Sequence, residues 1–410
     1  MSTDTSKTLP AGFHRLAWSN LAAQTAEQIS LAAVPIVAVL ALKAGPGEIG
    51  FLATFQTLPF LLLSIPLGLL ADRISRKQLM VWAELLRAAS ILGLLAALLL
   101  GALSLPLLAL LGFVGAVGTV GFSVAAPALV PALVARESLA RANGRLELAR
   151  SAAYAGGPAL AGALVAWAGA SSAFVIAAVL SAAAAGLLFG IAEPGRSPTA
   201  ARHPLLDLKD GVGLVWRHAL LRPILLTAVA WNLAWFVLQA AYVPYAIRVL
   251  GLSAAEVGLT LAIYGVGMVL GALLAPRIVA ALPFGRAIQL GPVFSVVGSA
   301  LMLATWLYPS GALAALAFFM FGFGPILWTI TSVTLRQTAT PNAMLGRVSA
   351  VFLTVNMGAR PIGAAAGGVV GAQWGELACL VLSLLLFGVQ LWIILRSPVS
   401  SLQQLPPSVN

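Results

Sequence analysis

The sequence predicts an all-helical integral membrane protein, with twelve transmembrane helices in two six-helix halves. Three observations lead there. Of 410 residues, 60% are hydrophobic and only 9% are charged, where a soluble domain carries about 25% charge. The apolar residues fall in Leu/Ala/Gly/Val runs separated by short polar breaks, and about 20 apolar residues are what a helix needs to cross a bilayer. Short motifs of the first half also recur in the second. In hydrocarbon every backbone group must bond internally, so spans are helices or closed barrels. Alternating ten-residue strands are absent, which leaves helices.

The runs place spans at 16–41, 49–71, 79–100, 105–134, 146–167, 171–192, 220–247, 255–278, 286–307, 311–334, 347–371 and 374–395. With the N-terminus inside, the inner segments take almost all Lys and Arg, and the outer loops hold only Lys43 and Arg248. Basic residues concentrate on the cytoplasmic side of membrane proteins. This asymmetry predicts cytoplasmic N- and C-termini in a multi-pass protein of the cell inner membrane. The net charge of +11 then reads as a topology signal. No aromatic-interleaved basic patch points to nucleic acid. The longest polar break, 193–219, contains Pro194, Gly195, Pro198 and Pro204 and reads as a linker. The expected organisation is a bundle over 1–192, that linker, a second bundle over 220–396 and a tail over 397–410. Residues 1–10 are polar and the first apolar run is full length, so no cleavable signal peptide is expected.

The repeat is visible in three places. Gly47-Glu48-Ile49-Gly50-Phe51 precedes the second span and Ala255-Glu256-Val257-Gly258-Leu259 the eighth. The same spans end Leu-Leu-Ala71-Asp72-Arg73-Ile74 and Leu-Leu-Ala275-Pro276-Arg277-Ile278. Gly144-Arg145 opens the fifth span with Pro158 beyond it; Gly346-Arg347 opens the eleventh with Pro361 beyond it. Three matches in one order at nearly one offset argue for duplicated halves, a recurring transporter plan.

Charged and polar side chains inside spans are costly and mark function. Glu27, flanked by Gln24 and Gln28, is the deepest carboxylate, a candidate for proton or substrate coupling; a structural carboxylate is the plain alternative. Glu84 and Arg87, three apart, share a helix face and form a candidate structural or gating ion pair. Arg360 precedes Pro361 deep in the eleventh span, with Asn356 one turn earlier. It is placed to pair with Glu27 or to hold an anionic substrate, and equally to be a fixed structural partner. Trp231, Asn232, Trp235, Gln239 and Tyr242 make an aromatic stripe on the seventh span, read as a substrate surface, or as an interfacial belt or bundle core.

Gly68-Leu-Leu-Ala-Asp72-Arg73-Ile-Ser75-Arg76-Lys77 resembles the loop signature between the second and third helices of the major facilitator superfamily, with Ser75 where the pattern prefers glycine. Pro131 to Asn143, Leu335-Arg336-Gln337, Thr340-Pro341 and Gly346-Arg347-Val348 resemble the drug and siderophore exporter branch, the H+ antiporter 3 type. The resemblance implies the major facilitator fold, alternating access and proton-coupled export of a small amphipathic compound, usually by a monomer. It implies a conformational latch at Gly68, Asp72, Arg73, Arg76 and Lys77, a cavity-lining seventh helix, and an antiporter-like motif at Gly157, Pro158 and Gly162. That motif departs from the family at Ala153 and Ala161, and the fourth span carries no mid-span arginine. A lipid or lysolipid flippase shares the architecture. A membrane enzyme finds no support in H-E-x-x-H, G-x-S-x-G or Walker A patterns; a non-transporting receptor stays open. The single cysteine, Cys379, excludes an internal disulfide framework and argues against a thiolate metal cluster. No metal or cofactor is expected.

Overall fold

A computed structural model describes residues 9–135, 138–193, 204–341 and 344–406, with the side chains at 69, 72, 128, 140 and 204–208 outside the description. Twelve α-helices follow in order: α1 (Ala11–Leu42), α2 (Pro46–Arg73), α3 (Arg76–Leu99), α4 (Leu105–Leu133), α5 (Leu139–Ala168), α6 (Ala170–Phe189), α7 (Pro204–Arg217), α8 (Leu221–Arg248), α9 (Ala254–Ala281), α10 (Phe284–Ala304), α11 (Gly311–Thr338) and α12 (Leu345–Leu395). A short 3-10 turn, Pro398–Ser401, follows α12. Among the described residues ten helices are long and apolar enough to cross a membrane.

The 51-residue α12 is two helices that meet at Gly375, non-helical at φ 78 and ψ −175, in keeping with the two spans expected there. That backbone region is open to glycine and strained for other residues. The predicted linker contains a helix, α7. Prolines and glycines disguised it, yet Pro204 stands at its first position, where a missing N–H costs nothing.

The repeat reappears as local geometry. Glu48 accepts a hydrogen bond from the backbone N–H of Gly45 at 2.9 Å, and Glu256 accepts from that of Ser253 at 2.8 Å. In each copy a glutamate near the helix start reaches back to an orphan donor. At Ser253 the box is complete, since its hydroxyl accepts from the Glu256 N–H.

The chain forms two compact units, Met1–Lys43 with Phe55–Thr199, and Ala44–Thr54 with Ala200–Asn410. In the first, Phe13, Leu16, Met80, Leu129 and Leu188 build a core at one end of the bundle. In the second, Ile224, Ile288, Leu335, Val351 and Ile394 do the same. Val399 of the 3-10 turn is fully buried in that core. The carbonyl of Leu402 accepts from the N–H of Gly285 at 2.7 Å, and that of Gln403 from Phe284 at 3.2 Å. Residues 397–403 therefore cap α10 by satisfying two of its unpaired N-terminal donors.

Candidate functional site

In the first unit a buried polar cluster joins α1 and α3. Arg87 Nη2 lies 3.0 Å from Glu84 Oε1, with side-chain exposures of 4% and 0%. The spacing of three residues puts both on one face of α3. Arg87 Nη1 donates to the Ala23 carbonyl on α1 at 2.7 Å. Glu27 of α1, itself half-buried, lies within electrostatic reach of Glu84. A buried ion pair with a second carboxylate in electrostatic reach thus sits inside a bundle of apolar helices. The sequence places Glu84 and Arg87 near the end of the span; the fold encloses them fully.

Gln28, next to Glu27, is buried and marks the seam with α5. A Cβ at Gly157 would come 2.5 Å from the Gln28 Cβ, so only glycine lets these helices touch there. Pro158 and Gly162, also buried, continue that stretch; Gln24 is half-buried. At Gly68 a Cβ would sit 3.7 Å from Val124, an ordinary contact.

The basic loop is organised by a residue that sequence reasoning missed. Glu193, just past α6, accepts from Ser75 Oγ at 2.5 Å, from the Arg76 N–H at 3.2 Å and from the Lys77 N–H at 3.1 Å. It satisfies free donors at the start of α3 and complements the helix dipole. Ser75 itself accepts from the Gln78 N–H, so the residue that departs from the family glycine serves as N-cap. Arg15 of α1 donates to the Gly190 carbonyl. Arg73 is exposed, Arg76 and Lys77 half-buried; the Asp72 side chain lies outside the described residues. A lone Glu at a polar boundary has no sequence signal pointing to a helix 117 positions earlier. Glu193→Ala is expected to cost about 1–2 kcal/mol, as lost caps do, and to speed amide exchange at 76–78. Unchanged exchange there would show that the clamp holds nothing.

In the second unit the predicted stripe lies on α8. Trp231 and Trp235 stack, with ring centroids 5.4 Å apart at 10°. Trp235 also meets Tyr264 at 5.2 Å, Phe318 at 6.0 Å and Phe321 at 5.3 Å. Such pairs contribute about 0.5–1.5 kcal/mol each beyond burial. Tyr242 is fully buried, bonded through its hydroxyl to Thr260 and packed edge-on to Phe318. It stands in the bundle core and not on an open wall. Asn232 is 7% exposed; Gln239 is half-buried.

Arg360 on α12 joins this face. Its Nε donates to Asn232 Oδ1 at 3.3 Å, and its guanidinium lies 5.8 Å from the Phe236 ring centroid. Asn232 is held in turn by the Ala228 carbonyl at 2.9 Å. Glu27 belongs to the first unit and Arg360 to the second. Two buried polar atoms nearby in sequence, Trp231 Nε1 and Asn356 Oδ1, have no hydrogen-bond partner among the described residues. Buried polar groups are normally paired, so the helices that carry the stripe and Arg360 hold an unused donor and an unused acceptor. Among the described residues no group of three or more His, Cys, Asp or Glu is placed to hold a metal ion.

Comparison with known proteins fits this architecture. Residues 16–364 match the family model described as Major Facilitator Superfamily. The chain is 29% identical over 356 residues to the enterobactin exporter EntS of Shigella boydii serotype 18, covering 84% of this chain and 82% of that protein. It is 29% identical over 345 residues to the EntS of Citrobacter koseri, covering 83% and 81%. Among solved structures, a bacterial homologue of the iron transporter ferroportin in its inward-facing state aligns with TM-score 0.74 at 20% identity, over 96% of this chain and 100% of that one. The nucleoside transporter NupG aligns with TM-score 0.75 at 12% identity, over 94% and 99%. The structures share the fold; the curated relatives are exporters. This multi-pass membrane protein belongs to the Major Facilitator Superfamily.

Proposed function

We propose that the protein exports a small amphipathic compound by alternating access, driven by protons, from the cytoplasmic side of the cell inner membrane, with both termini cytoplasmic and a monomer as the working unit. The observation that carries this reading is the cluster of Glu27, Glu84 and Arg87. An acid, a second acid and one base inside an apolar bundle are expensive to maintain, and ionisable groups in membrane helices mark ion and proton pathways. Glu27 is the proton carrier in this scheme, and the Glu84–Arg87 pair sets its electrostatic surroundings. On the other unit, Arg360, the Trp231 and Trp235 stack and the unpartnered Trp231 Nε1 and Asn356 Oδ1 form the substrate face. Arg360 takes an anionic group of the substrate. The likeness to enterobactin exporters supports a siderophore-like compound over a simple lipophilic cation. The latch reading of Asp72 and the basic residues after it belongs to the same scheme.

The test is proton flux in liposomes holding the purified protein under an imposed pH gradient, with siderophore-like, macrolide and lipophilic-cation substrates offered in turn. Substrate-dependent proton flux is expected from the wild type. Glu27→Gln is expected to abolish the flux while substrate still binds; Arg360→Gln is expected to weaken binding of the anionic substrate. Substrate movement with no proton flux would replace the antiporter with a uniporter or a lipid flippase and return Glu27 to a structural role.

A further inference from the structure

The helix that the linker hides has one buried and one exposed side. On the buried side a Cβ at Gly211 would sit 2.8 Å from the Arg347 carbonyl oxygen and 2.9 Å from Val351 Cγ2, so α7 lies directly on the α12 backbone. Val215 is 1% exposed in a core with Val348, Val351 and Phe352. Arg347 Nη1 reaches Asp210 Oδ2 at 3.1 Å, closing the contact. These anchors fix the height of α7. Residues 347–352 are the first turns of α12, and α8 starts at Leu221, soon after α7 ends at Arg217. Helix α7 therefore lies where two spans leave the hydrocarbon.

On the exposed side Lys209, Val212 and Trp216 follow at helical spacing, with Arg217 beside them. Trp216 is 57% exposed, and the guanidinium of Arg222, from the first turn of α8, sits 5.8 Å from its ring centroid. Tryptophan and basic residues at this level are the composition of a membrane interface. A short helix with an apolar stripe and basic flanks lies in the headgroup plane. The basic residues on this side are Lys209, Arg217 and Arg222. Asp210, its side chain 59% exposed, has its charge paired with Arg347, and the Asp207 side chain lies outside the described residues.

We propose that the exposed side of α7 docks on the lipid headgroups: Val212 and Trp216 enter the acyl boundary, while Lys209, Arg217 and Arg222 hold the phosphates of anionic lipid. The linker is then pinned to the bilayer as well as to α12. This assignment stands whether or not the protein moves protons.

The test uses the full chain in phosphatidylcholine liposomes, with and without phosphatidylglycerol. A nitroxide on Val212→Cys reports depth; Cys379 is fully buried and the unsubstituted protein serves as the labelling blank. The expected result is relaxation dominated by oxygen over a water-soluble nickel chelate. The midpoint of thermal unfolding is expected to rise with phosphatidylglycerol, and Arg217→Gln/Arg222→Gln is expected to lose most of that rise, because each basic residue near an anionic surface adds attraction. Dominance of the nickel chelate would overturn the proposal and make this side a water-facing surface for a soluble partner. Membrane-like depth with no phosphatidylglycerol effect would overturn the phosphate contacts.

Discussion

Arg87→Met is expected to destabilise the protein by about 3–5 kcal/mol, because it strands the buried Glu84 carboxylate without its counter-charge. The pair is almost completely enclosed, and the lost bond to the Ala23 carbonyl also loosens α3 from α1. Glu84→Gln in the same background should recover much of the loss, since removing both charges is far cheaper than removing one. An internal comparison exists in the same unit. Arg150 and Glu147 have the same spacing and pair at 2.5 Å, but with side chains 35% and 55% exposed. Arg150→Met should cost no more than about 1 kcal/mol. Unfolding in mixed micelles, followed by loss of helix signal, measures all three. Equal small losses for Arg87→Met and Arg150→Met would mean that water reaches the inner pair, and the reading of a dry, functional charge cluster would fall with it.

Gly157→Leu is expected to reduce transport more than tenfold while the protein still reaches the membrane. Its Cβ alone would come 2.5 Å from the Gln28 Cβ and 3.4 Å from the Gln28 backbone carbon. Overpacking at such a contact costs about 1–3 kcal/mol and is relieved by backbone shifts. The shift here moves α1 at the residue adjoining Glu27. Gly156→Leu is the matched control: a Cβ there meets nothing within 4 Å, and its transport should stay near wild type. The comparison separates a packed seam from a general intolerance of bulk in α5. If both variants transport equally well, the antiporter-like stretch does not position Glu27.

The sequence by itself determined the membrane class and the all-helical fold, because these depend on local quantities. Run length, charge placement and repeated capping signals such as Glu48 and Glu256 act within a few residues of where they are written. The ion pair of Glu84 and Arg87 and the stripe of Trp231 and Trp235 were legible for the same reason, being set by helical period alone. Helix α7 was not, since Pro204, Gly211 and Gly213 look like loop punctuation until Gly211 is seen to lie on the Arg347 backbone. Only the tertiary structure decided what those residues meet. It enclosed Tyr242 in the core, gave Arg360 to Asn232, joined Arg87 to the Ala23 carbonyl, and brought Glu193 to the start of α3. Each is a contact between separate elements, where side-chain direction, distance and burial fix the partner. No periodicity within one segment encodes them.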